Sequence, residues 1–291
     1  MREPGVQPPP DLDRDTARAA GDGGALLRAA VLTGVGVAHA FTTRLGGVSQ
    51  GPLFASLNFG NPSDLPAEKR DPPENIGANW GVVLGALGCG GREVVQSHQV
   101  HGAAVLVVRA GTPAHAERDA DGRPVTTRAD AIVTDDPARV VAVRVADCAP
   151  VLLASGDGRV VGAVHAGWRG VVGGVLPAAV EAMRTLGARG IFGAIGPCIS
   201  AQHFEVGPEV VAEFERVFPG GAVVREHADA AARGAGKAMV DLRAALALQA
   251  RDAGVERFEA LDACTVRDAG LFFSHRRERG LTGRVIGPRG G

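Results

Sequence analysis

Short runs of β-branched and other apolar residues, bounded by Gly, Asp or Pro, recur through the middle of the chain. Such runs read as strands buried on both faces. They predict strands over 94–95, 105–108, 131–134, 140–145, 151–154 and 160–164, with less regular ones over 191–195 and 271–273. Elsewhere apolar positions repeat at helical spacing. Asp71 predicts an N-cap with Pro72 at the first helical position, and Ile76, Trp80, Val83, Leu84 and Leu87 then share a face. A second stripe, Val172, Val175, Leu176, Ala179, Val180 and Met183, contains Pro177, which predicts a kink. Pro208 opens a third helix along Val210, Val211, Phe214, Val217 and Phe218. Asp241 caps a fourth that stops near Gly254. Strands in runs, interrupted by four helices, predict an α+β fold of mixed β-sheets packed with helices. No linker divides it, so one domain is expected over 25–291, behind a disordered leader at 1–24 rich in Pro, Gly and charge. Polar stretches at 112–128 and 225–237 read as surface loops.

Composition narrows the function. A chain of 291 residues, 45% hydrophobic, can bury a core without disulfide or metal staples. Its net charge of −1 excludes a chain-wide electrostatic grip on nucleic acid, and without tyrosine it has few platforms for stacking bases. There is no secretory h-region and no apolar run of the roughly 20 residues that span a bilayer, so a cytoplasmic protein without a membrane partner is expected. The cysteines, at 89, 148, 198 and 264, form no Cys-x-x-Cys pair and suit a reducing compartment.

Reactive side chains gather at strand ends. In an extended 96–102 segment His98 and His101 face opposite sides, so one of them serves a single site; His101, followed by Gly102, is the better placed. The strand over 140–145 runs into Asp147-Cys148-Ala149-Pro150. The strand over 160–164 delivers His165 to the turn Ala166-Gly167-Trp168-Arg169-Gly170, where a helix start and Arg169 predict an anion cradle. Taken singly, each of these side chains also reads as a packed or solvated residue. Together His101, Cys148 and His165 supply two imidazoles and a thiolate, a set that suits zinc and leaves a fourth position open. Cys198 reads as packed, and His115, His203 and His227 as solvated. Arg44, Asn58, His275 and Arg276 lie in segments able to bind phosphate or a sugar.

These segments also form an ordered set. Phe41-Thr42-Thr43-Arg44, Gly46-Gly47-Val48-Ser49, Gly51-Pro52 and Ser56-Leu57-Asn58 come first. Gln99-Val100-His101-Gly102, Ala129-Asp130-Ala131, Ala146-Asp147-Cys148, His165 through Gly170, Gly196-Pro197-Cys198 and Phe273-Ser274-His275-Arg276 follow. The set resembles the YfiH/laccase-domain family, once called polyphenol oxidases and now regarded as purine nucleoside phosphorylases. Trp80, where a basic residue is expected, and Glu278, where Asp is usual, depart from its pattern. The resemblance implies an α/β domain of mixed sheets packed with helices, and zinc at His101, Cys148 and His165. It implies phosphorolysis of adenosine, inosine, guanosine and 5′-methylthioadenosine, with adenosine deamination as a second activity. On that reading phosphate sits among Arg44, Arg169 and the helix start after His165, and Asp147 is a proton shuttle or orients a ligand. A four-copper oxidase needs about ten histidines, whereas this chain has eight and no His-x-His pair; Cu2+ remains able to enter the same site in vitro. Two alternatives stand beside it. One is a thiol hydrolase or deamidase with Cys148 as nucleophile and His165 as base. The other is a non-catalytic, partner-binding protein whose zinc is closed by Cys198.

Overall fold

The computed structural model describes residues 26–62, 65–113 and 127–290. Strands β1 (Leu26–Leu27) and β2 (Phe41–Thr42) flank helix α1 (Ala30–Gly34) and pair antiparallel. Helices α2 (Gly51–Phe54) and α3 (Pro73–Ala86) follow. Then come β3 (Glu93–Val95), β4 (Val105–Val108), β5 (Ala131–Thr134), β6 (Arg139–Val145), β7 (Ala149–Ser155) and β8 (Val161–Ala166). Helices α4 (Trp168–Val172) and α5 (Val175–Thr185) lead to β9 (Ile191–Ile195). An outer unit holds β10 (Glu205–Val206), α6 (Pro208–Val217), β11 (Val224–Glu226), α7 (Ala230–Gly234) and β12 (Ala238–Val240). Last are α8 (Leu242–Asp252), β13 (Arg257–Ala260) and β14 (Val285–Gly290).

A six-stranded mixed sheet, ordered β13-β9-β7-β8-β5-β4, forms the centre. Beside it lies a three-stranded sheet, β14-β6-β3. Every residue of β7 and β8 is buried, because both faces of the central sheet are covered. Val151 and Leu153 point into a core with Leu176, Val180 and Met183 of α5 and Leu246 of α8. Leu152 and Ala154 point the other way, onto Val141 and Val143 of β6 and Leu32 of α1. The fold is therefore α+β with mixed sheets, as the patterning predicts. No helix among the described residues is long and apolar enough to cross a membrane.

Several local expectations are corrected. Pro72, not Asp71, is the N-cap of α3, with Pro73 at its first position. Asp71 instead accepts from Ser49, Asn58 and Asn75, which pins the preceding loops to one buried carboxylate. The stripe from 172 to 183 is broken at Gly174, whose φ of +79° starts a new helix, rather than kinked at Pro177. Pro177 lies in the first turn of α5, where its missing N–H leaves no bond unmade. Residues 271–273 are not a strand: the N–H groups of Leu271 and Phe272 both return to Asp268 O, as in a turn. The 225–237 stretch is not a plain loop, since it contains most of β11 and all of α7, capped by Asp229. The 1–24 leader, His115 and the middle of the 112–128 stretch lie outside the described residues.

Candidate metal centre

Strand register brings the predicted trio together. Ala149 of β7 pairs with Ala166 of β8, so Cys148, just before β7, lies at the level of Gly167. Ala131 of β5 pairs with Val164 of β8, which sets Asp130 against His165; the His165 N–H donates to Asp130 O at 2.7 Å. Strand β4 is parallel to β5, so the 99–104 segment leading into it reaches the same end of the sheet. There His101 adopts a left-handed φ of +60°. The segment is not regularly extended, and His98 also lines the cavity described below. The donor atoms of His101, Cys148 and His165 all lie within 4.8 Å of one another. His101 is exposed, Cys148 half-buried and His165 buried. Among the described residues no fourth His, Cys or carboxylate joins them.

Asp130 fixes this geometry, a role that the sequence pattern does not mark. It is fully buried, and its Oδ1 sits 2.8 Å from His165 Nδ1 and accepts the His101 N–H at 2.9 Å. Its Oδ2 accepts from the Gly102 N–H at 2.7 Å and the Val100 N–H at 3.2 Å. Burial pushes the Asp130 carboxyl up, but the bonds from His165 and these N–H groups outweigh it and hold the group below the usual carboxylate range. With Nδ1 committed, His165 turns Nε2 toward the other two donors. Burial also opposes ionisation of Cys148, yet the charge of His165 and bonds from both histidines bring the thiol down to about 6. His165 loses charge stability through burial and regains more from Cys148 and Asp130, ending near 9. A Cβ on Gly167 would lie 3.0 Å from His101 Cδ2 and 3.1 Å from Cys148 Sγ, so glycine lets the turn approach both side chains closely.

The trio opens on a cavity of about 540 Å³, the size of a small-ligand site. Trp168, Ile199, Phe204 and Leu242 give it apolar wall. His98, Arg144, Arg276 and Arg284 add basic groups. Asp147 also lines it, at a φ of +91°. Its oxygens accept from Thr265 Oγ1 at 2.5 Å and the Arg276 N–H at 2.6 Å, and neither bonds the trio.

His275 and Arg276 line this cavity, whereas Arg44, Asn58 and Arg169 do not. Arg44 donates to Ala55 O, pairs with Glu278 at 3.8 Å and lies over the Phe273 ring. Asn58 is buried against Asp71, and the guanidinium of Arg169 rests on Trp168. Cys198 is packed in the core, as predicted, and is not part of the trio. His203 and His227 are not free in solvent: Nδ1 of the first is 3.0 Å from Ser200 Oγ, and Nε2 of the second is 2.8 Å from Glu205.

Residues 38–288 match the family model described as multi-copper polyphenol oxidoreductase laccase. The chain belongs to the YfiH/laccase-domain family. Within this family it is 37% identical over 262 residues to the purine nucleoside phosphorylase of Deinococcus radiodurans, covering 89% of this chain and 90% of that one. The crystal structure of a Neisseria meningitidis protein matches at TM-score 0.70 and 34% identity, over 87% of this chain and 93% of that one. The Bacillus licheniformis YfiH structure matches at 0.75 and 27%, over 91% and 96%. The family model's multi-copper description does not suit the donor set here. Two imidazoles and one thiolate could hold a single ion, and no second such cluster occurs among the described residues.

Proposed function

We propose that this YfiH-family chain is a zinc-dependent purine nucleoside phosphorylase. It cleaves adenosine, inosine, guanosine and 5′-methylthioadenosine with inorganic phosphate, giving the free base and ribose 1-phosphate or its methylthio form. The observation that carries the reading is a three-donor cluster, open on one side, facing a cavity that joins apolar wall to basic groups. Relatives named purine nucleoside phosphorylase support it.

His101, Cys148 and His165 would hold the ion, with Asp130 fixing the His165 tautomer. Bound there, zinc supplies a Lewis acid with an open position. The other work falls to the chain itself. Trp168, Ile199, Phe204 and Leu242 enclose the flat base and exclude water, and the basic groups hold phosphate. The glycosidic electron pair leaves with the base as a phosphate oxygen bonds the anomeric carbon, and the proton that hydrogen phosphate gives up ends on the base nitrogen. The transition state resembles an oxocarbenium ion, so positioning and charge supply most of the acceleration. Adenosine deamination belongs to the same proposal, with water as nucleophile and ammonia as leaving group.

The low thiol pKa of Cys148 beside a charged His165 favours one other reading, a thiol hydrolase or deamidase. Metal content separates the two. Zinc near one per chain by plasma mass spectrometry, lost together with phosphorolysis in Cys148→Ala and in His101→Ala, is the expected result. Activity that survives chelation and needs Cys148 but not His101 would establish the thiol chemistry instead.

A further inference from the structure

Strand β6 alternates its side chains between two cores until Arg144. Val140, on the same face, packs with Phe59 and Ile286, and four residues later the strand leaves the core at the cavity. Gln99 clamps the main chain there: the Arg144 N–H donates to Gln99 Oε1 at 2.9 Å, and Gln99 Nε2 donates to Arg144 O at 2.8 Å. The guanidinium is different. Among the described residues it has no hydrogen bond, no ion pair and no ring beneath it, although the residue is partly buried. Other arginines at this end of the fold spend theirs: Arg44 on Ala55 O and Glu278, Arg277 on Thr265 O, Phe272 O and Glu278. Burial alone lowers the Arg144 pKa, with no carboxylate to offset it.

A second cation stands beside it. Arg144 pairs with Ile286 of β14, so Arg284 is its diagonal neighbour on the same face. Both reach Gly60, where an added Cβ would lie 3.3 Å from Arg144 Nη1 and 3.6 Å from Arg284 Cγ. Asn58 Oδ1 accepts from the Gly60 and Arg284 N–H groups at 3.1 and 2.8 Å, and so sets the spacing of this corner. The cavity lining contains one carboxylate, Asp147, and both its oxygens are already bonded. A partly desolvated guanidinium with no protein partner favours an anion, and its planar fork matches two oxygens of a tetrahedral one.

We propose that Arg144 is the phosphate subsite of this cavity, in place of Arg44 and Arg169; Arg284, whose Nη1 already donates to Thr282 O and Gly283 O at 2.7 and 3.0 Å, adds charge diagonal to it. Naming the anion as the attacking inorganic phosphate rests on the phosphorylase reading. The same chemistry would also take the 5′-phosphate of a nucleotide.

The test measures phosphate binding directly, by calorimetry with inorganic phosphate and with inosine 5′-monophosphate, on the full chain. Arg144→Gln and Arg144→Lys are compared with Arg216→Gln, a charge control on the outer face of α6. Melting temperatures verify that each variant is folded. Arg144→Gln is expected to weaken phosphate binding about tenfold or more, with part of the loss restored by Arg144→Lys. In phosphorolysis it should raise KM for phosphate by a similar factor and leave KM for inosine within about twofold. Phosphate binding equal in wild type and Arg144→Gln, or absent from the wild type, overturns the subsite. A loss confined to inosine 5′-monophosphate overturns its assignment to the attacking phosphate. Phosphate binding lost in Arg144→Gln, in a wild type with no phosphorolysis, keeps the subsite and overturns the phosphorylase reading.

Discussion

Asp130 ties the two halves of the candidate metal trio together, because one carboxylate holds the His101 loop by three N–H groups and His165 by its ring. Asp130→Asn weakens one of those bonds and the charge that orients His165. Zinc affinity, measured by competition with a chromophoric chelator, should fall about 10- to 100-fold. Asp147→Asn should leave it within a few-fold, since Asp147 serves Thr265 and Arg276. Equal losses in both variants would contradict this division of roles. The trio itself was legible in the sequence, because reactive residues at strand ends stand out against apolar runs. Asp130 was not, since its role appears only when β5 is set against β8. Arg169 shows the converse ambiguity. A cation in a glycine-rich turn reads the same whether it meets a ligand or, as here, lies on Trp168.

Among elements, the central strands were legible to within two residues at either end, because a strand buried on both faces must be written in apolar residues. Breaks were harder to place. Proline at 177 marks a helix interior only if the start of that helix is known, and the start depends on the left-handed Gly174. Two substitutions distinguish these residues. Gly174→Ala forces a Cβ into φ near +79° and should cost about 1 kcal/mol in denaturant unfolding. Pro177→Ala should change stability by a few tenths, as expected of a first-turn position. A larger cost for Pro177→Ala would mean that proline, not glycine, shapes the junction. The 271–273 run failed as a strand because its N–H groups are already used by Asp268; apolar character there serves burial of Phe272 and Phe273.

At the scale of the molecule, the cavity is where two sheets end together. The six-stranded sheet and its connecting loops carry the candidate metal donors, and the three-stranded sheet carries Arg144. A chain with a net charge of −1 thus gathers arginines at one cavity, a local asymmetry that overall composition hides. The sheets' join also explains why fold class was readable while the cavity was not: patterning reports which residues are buried, not which strand ends meet. The central claim, phosphorolysis at the trio, is tested most directly by mass-spectrometric product analysis of adenosine incubated with zinc-loaded protein, with and without phosphate, beside His165→Ala. The proposal predicts adenine and ribose 1-phosphate only when phosphate is present, and neither product from the variant. No adenine under any condition, or adenine formed equally by His165→Ala, would contradict it.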